Sequence, residues 1–139
     1  VRWLGRQSQG SIAATMASAD CLVLPSRFDG WGAVASEALL VGTPVICSAG
    51  CGCREAVERS GGAVFATGDV DDLAARIKKK MALGRVSPSA RTSLATWARA
   101  LGAEAGADYL RDIIAYCSGQ QQPRPIAPWL KTPAWELIH

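Results

Sequence analysis

The sequence contains one histidine, His139, and it is the last residue. Acid–base or nucleophilic chemistry built on an imidazole therefore has nothing to work with in the body of the chain. Any chemistry must rest on carboxylates and backbone dipoles. Neither sign of charge dominates. Fifteen Lys and Arg face 12 Asp and Glu, a net charge of +3, too little to argue for a nucleic-acid partner. The one basic run, Lys78-Lys79-Lys80, falls where a helix is expected to end, and cations there complement the dipole. No apolar run approaches a membrane span, and the N-terminus is not signal-like. The expectation is a soluble or at most peripheral protein of the cytoplasm. The five cysteines are odd in number and three sit in or near expected core segments, which reads as reduced thiols. Cys47, Cys51 and Cys53 are separated by three residues and one, a spacing that matches no common zinc pattern. No metal is expected.

At 139 residues, 49% of them apolar, the chain is long enough for one domain with a real core. Short apolar runs alternate with helical patterns. Strands are expected at residues 1–4, 21–24, 45–47 and 63–65, the second buried on both faces. Helices are expected at 9–18 with Ser8 as cap, at 33–41 ending before Gly42 and Pro44, and at 54–58. A further helix at 70–83 begins at Asp69 and carries the stripe Val70, Leu73, Ala74, Ile77, Met81. Ser87-Pro88 opens another helical stretch in which Leu94, Trp97 and Leu101 share a face. Tyr109, Leu110, Ile113 and Ile114 continue the pattern after a glycine-containing break. Strands alternating with helices imply parallel βαβ units.

Residues 25–39 carry the most information. After the apolar run comes Pro25-Ser26-Arg27-Phe28, then Asp29-Gly30-Trp31-Gly32, then a helical segment holding Glu37. The order is strand, loop, helix N-terminus, and open α/β sheets bind ligands at such loops. Amides at the helix start favour a phosphate. Gly30 and Gly32 allow backbone to approach it. Glu37 could be a surface acid, but its place among Val34, Ala38 and Leu40 favours a buried acid in need of a partner. Asp29 reads either as a ligand to a sugar or as a turn-forming Asx residue, since Asp-Gly is common in turns.

This segment resembles the E-x7-E region of retaining glycosyltransferases of the GT-B fold, the family 4 or "group 1" type. Asp29 and Glu37 keep the spacing of the two acids, with Asp for the usual Glu and Trp31 for the usual Phe. Gly42-Thr43-Pro44-Val45 follows in family order. So do the turn Cys47-Ser48-Ala49-Gly50-Cys51-Gly52-Cys53-Arg54-Glu55 and the later blocks Gly61-Gly62-Ala63-Val64-Phe65 and Gly68-Asp69-Val70-Asp71-Asp72-Leu73. The resemblance implies a Rossmann-like parallel sheet flanked by helices, part of the C-terminal, nucleotide-sugar-binding domain. It implies that Asp29 holds the donor sugar and Glu37 the ribose, as the catalytic pair. Gly30, Trp31, Gly32, Ala33 and Val34 would bind the donor, with the amides near Gly32, Ala33 and Val34 stabilising the leaving diphosphate, and Gly5 and Arg6 would lie beside the base. No metal cofactor is implied. The upstream diphosphate-binding loop and the acceptor domain of this family are not found in these residues, so an N-terminally truncated donor half is expected. Its partner would be the N-terminal acceptor domain or a second chain.

Residues 1–118 are expected to form the partial donor domain. Residues 119–139 are a Pro- and Gln-rich linker with a tail bearing Trp129 and Trp135. The tail covers the domain's own surface or docks on another domain. Two functional readings stay open: the donor half of a sugar-transferring enzyme, or a non-catalytic nucleotide-binding or protein-interaction module. Self-association is expected wherever a sheet edge is left bare.

Overall fold

The computed structural model describes residues 1–120 and 122–131. Three parallel strands form the sheet, in the order β1 (Leu22–Leu24), β2 (Val45–Ser48), β3 (Ala63–Phe65). Leu22 pairs with Val45 and Leu24 with Cys47; Ile46 pairs with Ala63 and Ser48 with Phe65. The central strand is buried at all four positions, as a near-continuous apolar run in a parallel sheet requires. Helices α2 (Ala33–Leu40) and α3 (Arg54–Arg59) make the two crossovers.

Alternation along β2 sends its side chains to two unlike faces. Val45 and Cys47 join Ala35, Ala38 and Leu39 of α2 and Val57 of α3 in one core cluster. Met16 of α1 (Gln9–Ser18) and Leu94, Trp97 and Ala98 of α5 (Pro88–Ala98) complete it. Ile46 points the other way. With Val23 it floors a hollow of about 280 Å³ under α4 (Val70–Ala82), walled by Ile77 and Met81. Arg91 staples α5 to the end of α1. Its guanidinium donates to the Ala17 and Ala19 carbonyls at 3.2 and 2.7 Å, satisfying acceptors a helix C-terminus leaves free.

The capping residues act as the sequence predicts. Ser8, Asp69 and Ser87 accept from the amides of Ser11, Asp72 and Ala90 at 3.3, 2.9 and 3.2 Å. Helix and strand ends differ from expectation by a residue: Val41 and Leu83 are C-caps rather than helical, while β2 and α3 each run one residue further.

Four larger differences have physical causes. Residues 1–4 are not a strand: Val1, Trp3 and Leu4 are apolar, but among the described residues no neighbouring strand offers them a ladder, and Trp3 is 91% exposed. The strand at β1 is half-buried rather than covered on both faces, because it is an edge. On α4, Leu73, Ala74 and Ile77 are half-buried while Val70 and Met81 at the stripe's ends are exposed. On α6 (Ala103–Cys117), Tyr109 and Ile113 turn inward and Leu110 and Ile114 stay in solvent. Among the described residues no helix is long and apolar enough to cross a membrane.

The C-terminal segment packs back onto the domain. Ala127 is buried, and Trp129 of α7 (Pro128–Lys131) packs against the core cluster. Trp135 and His139 lie outside the described residues.

Two stability predictions follow from this packing. Ending the chain after Gln122 removes Trp129 and is expected to lower the Tm by about 5 °C or more in a calorimetric scan, given the apolar area lost. An unchanged Tm would show that the segment contributes nothing. Separately, the Ala66 amide, at 2.9 Å, and then Arg76 hold the Asp72 carboxyl below its usual range. A carboxylate lowered on folding stabilises above its unfolded pKa of about 4, and that stabilisation is lost as the pH falls through the lower folded value. The Tm deficit of Asp72→Asn should therefore be full at pH 7 and close below about pH 4.

Candidate functional site

The loop leaving the carboxyl end of β1 is held from beneath by the loop leaving β2. The Ser48 hydroxyl donates to the Ser26 carbonyl. The Asp29 amide donates to the Gly50 carbonyl at 3.2 Å, Gly52 donates back to Asp29 at 3.0 Å, and Cys53 donates to Trp31 at 2.7 Å. Asp29 and Cys51 thus form an isolated parallel bridge beyond the strands. Two glycines permit it. A Cβ on Gly50 would stand 2.2 Å from the Arg27 carbonyl oxygen, and one on Gly52 2.1 Å from that of Gly30. No side chain fits there.

Within the loop, the Trp31 amide donates to Asp29 Oδ1 at 3.3 Å. This is the Asx turn, one of the two readings the sequence left for Asp29. The half-buried Trp31 indole donates through Nε1 to Ser36 Oγ at 2.9 Å, tying the loop to the first turn of α2. Gly32 caps α2 with φ +87°. A Cβ there would stand 2.9 Å from Leu24 Cδ2 and 3.0 Å from Cys53 Sγ. Gly30 is exposed, with open space where a Cβ would go.

No side chain caps α2. In its first turn the Ala35 amide donates to the Gly32 carbonyl at 2.8 Å, while the amides of Ala33 and Val34 have no carbonyl one turn back to bond, and the dipole makes that end positive. Glu37 lies one turn further, about 6 Å along the axis. It is not buried. The buried face of α2 is Ala35, Ala38 and Leu39, whereas Ala33, Glu37 and Leu40 share the exposed face. Sequence neighbours suggested burial, but the helical period places Glu37 about 100° or more away from the core positions Ala35, Ala38 and Leu39.

Glu37 also lines a hollow of about 200 Å³ between α2 and α1, with Gln9, Ala13, Met16, Leu40 and Val41. Gln9 opens α1. Gly5, at φ +62°, and Arg6 precede it in an exposed, unpaired segment. Their chain therefore enters the fold on the Glu37 side of α2.

The thiols pack under the loop. Cys47, Cys51 and Cys53 are buried. A hydrogen bond between Cys47 and Cys53, and then burial, pushes Cys47 up; the same bond holds Cys53 down. Among the described residues no group of three or more Cys, His, Asp or Glu side chains is placed to hold a metal ion.

A larger hollow, about 400 Å³, lies elsewhere. It is lined by Pro44, Gly62 and Ala63 at the amino ends of β2 and β3, with Arg76, Lys79 and Lys80. Open α/β sheets bind their ligands at the opposite, carboxyl ends. The loop at the start of α2 is therefore the better candidate.

A parallel sheet with its crossover helices, and a glycine-capped helix at the carboxyl end of a strand, define the class as a Rossmann-like α/β domain. The chain belongs to the glycosyl transferases group 1 family, whose model matches residues 1–96. Over 135 residues, 91% of the chain, it is 32% identical to the glycogen synthases of two Mycobacterium tuberculosis strains. A 56-residue stretch, 40% of the chain, is 39% identical to a probable transglycosylase of Burkholderia thailandensis. The chain spans 31% of the length of each glycogen synthase and the matched stretch 15% of the transglycosylase.

Gly32→Ala combines a left-handed backbone with two close contacts. It is expected to cost about 2–3 kcal/mol in urea unfolding. A cost under about 0.5 kcal/mol would show that the loop relaxes freely.

Proposed function

We propose that this domain binds the donor of a sugar transfer, a nucleotide-sugar, at loop 29–32 and the start of α2. The observation that carries the reading is the uncapped, glycine-led N-terminus of α2 with Glu37 on the same exposed face as Ala33. The family match supports sugar transfer in general. The leaving diphosphate gathers negative charge as the glycosidic bond breaks. The amides of Gly32, Ala33 and Val34, with the helix dipole behind them, stabilise that charge. A helix terminus in this role makes a metal ion unnecessary.

Glu37 accepts hydrogen bonds from the ribose hydroxyls. Asp29, with Oδ1 engaged by the Trp31 amide, offers its other carboxylate oxygen to the donor sugar. Gly5 and Arg6 lie toward the base. Transfer proceeds with retention of anomeric configuration, as the resemblance implies, in a cytoplasmic enzyme. The acceptor is held by a second domain or partner chain, which also closes the cleft against water.

A second reading is a nucleotide-binding or interaction module without transfer activity. The edge of β1 and the exposed residues 1–7, which join no strand, favour it, since both are open to pairing with another chain or a second copy.

Calorimetric titration with ADP-glucose and UDP-glucose tests the site. Each of Glu37→Gln and Asp29→Asn should weaken binding of the preferred donor by about 10- to 100-fold, the scale of a hydrogen bond to a charged group. Equal affinity in both variants would remove the assignment. The purified 139-residue chain by itself should transfer no sugar; measurable transfer would show that no second domain is needed.

A further inference from the structure

Trp129 is almost a hundred residues from the Asp-Gly-Trp-Gly loop in sequence, yet its ring centroid lies 5.1 Å from that of Trp31, the planes tilted by 58°. Tyr109 of α6 meets the same indole edge-on at 6.1 Å. Both geometries are favourable for aromatic pairs. We propose that Trp129 is a positioning residue for the donor loop, and that the segment carrying it serves as a strap that fixes loop 29–32 from the side.

The mechanical chain is short. Trp31 is held by its amide through Asp29 Oδ1, by its carbonyl through the Cys53 amide, and by its indole N–H through Ser36 Oγ. Those bonds fix the edge of the ring and the backbone on either side. The remaining apolar surface meets Trp129. Trp129 is in turn held by the core cluster, by Tyr109, and by the turn in which Leu130 N–H donates to the Ala127 carbonyl at 2.9 Å. Ala127 is itself buried. Removing the second indole leaves the Trp31 ring held by its one hydrogen bond to Ser36 and by its remaining core contacts, and so looser about its side-chain bonds. Its backbone sits directly between Asp29 and Gly32, so the loosening would shift the groups proposed to meet the donor. A tryptophan in this loop presents a larger face than phenylalanine does, and Trp129 covers it.

The functional consequence rests on the donor-site reading above; the positioning itself does not. The experiment separates the two. Hydrogen exchange on the full chain reads the amides of residues 29–35 in wild type, Trp129→Ala and Trp129→Phe. In Trp129→Ala these amides should exchange faster by about tenfold, the scale of one aromatic pair, while the β2 amides keep their protection. Trp129→Phe should restore most of it. The far-ultraviolet circular dichroism couplet of the two indoles should vanish in Trp129→Phe and in Trp31→Phe alike. In parallel, ADP-glucose and UDP-glucose titrations should show binding weakened in Trp129→Ala and recovered to within about threefold in Trp129→Phe.

Unchanged exchange in residues 29–35, or faster exchange spread evenly through β2 as well, would overturn the positioning role. Protection lost in the loop with no donor bound by wild type would keep the strap and discard the donor-site reading. Donor bound equally by wild type and Trp129→Ala would confine the strap to stability and overturn its role at the site.

Discussion

The site depends on the close approach of two loops. Main-chain hydrogen bonds join the loop after β1 to the loop after β2, from Asp29–Gly50 through Trp31–Cys53. This extends the parallel sheet by one bridge past its strands. The approach is possible only because Gly50 and Gly52 leave room for the carbonyls of Arg27 and Gly30. It fixes where Trp31 stands, and Trp31 fixes the first turn of α2 through Ser36. The helix N-terminus that the function needs is thus aimed by backbone geometry, with the buried thiols of Cys47, Cys51 and Cys53 filling the space below.

The energetic division between the two ends of the sheet is also clear. At the carboxyl ends, polar main chain and small residues keep the surface open and the helix uncapped. Elsewhere the long helices α1, α4 and α5 are capped by their own serine or aspartate. A helix that closes its own N-terminus has less to offer a ligand. α3 and α6 also lack a side-chain cap; α2 differs in that a glycine at φ +87° leads into it from the carboxyl end of β1. The face of Ala33 and Glu37 is left exposed.

Much of this was readable in the sequence. Alternating short apolar runs and capped helical patterns gave the α/β class, the parallel sense and, to within a residue, the bounds of the three described strands. The Asp29-Gly30-Trp31-Gly32 block marked the loop. Three features were not readable, each for a tertiary reason. Residues 1–4 have a strand's pattern, but a strand needs a neighbour, and pattern does not supply one. Glu37 read as buried from its sequence neighbours, whereas the 3.6-residue period put Ala35, Ala38 and Leu39 on the core side. Gly50, Gly52 and Trp129 owe their importance to contacts with distant residues, which no local spacing reveals.

The account's central claim is that the loop before α2, and not the larger basic hollow at the amino ends of the strands, takes the nucleotide-sugar. Backbone amide chemical shifts of the chain during titration with ADP-glucose and UDP-glucose test it most directly. The account predicts saturable shifts concentrated at Gly30 to Val34 and at Glu37, with residues 61–64 and 76–80 unmoved. Shifts centred on Arg76, Lys79 and Lys80, with the α2 amides unchanged, would contradict it.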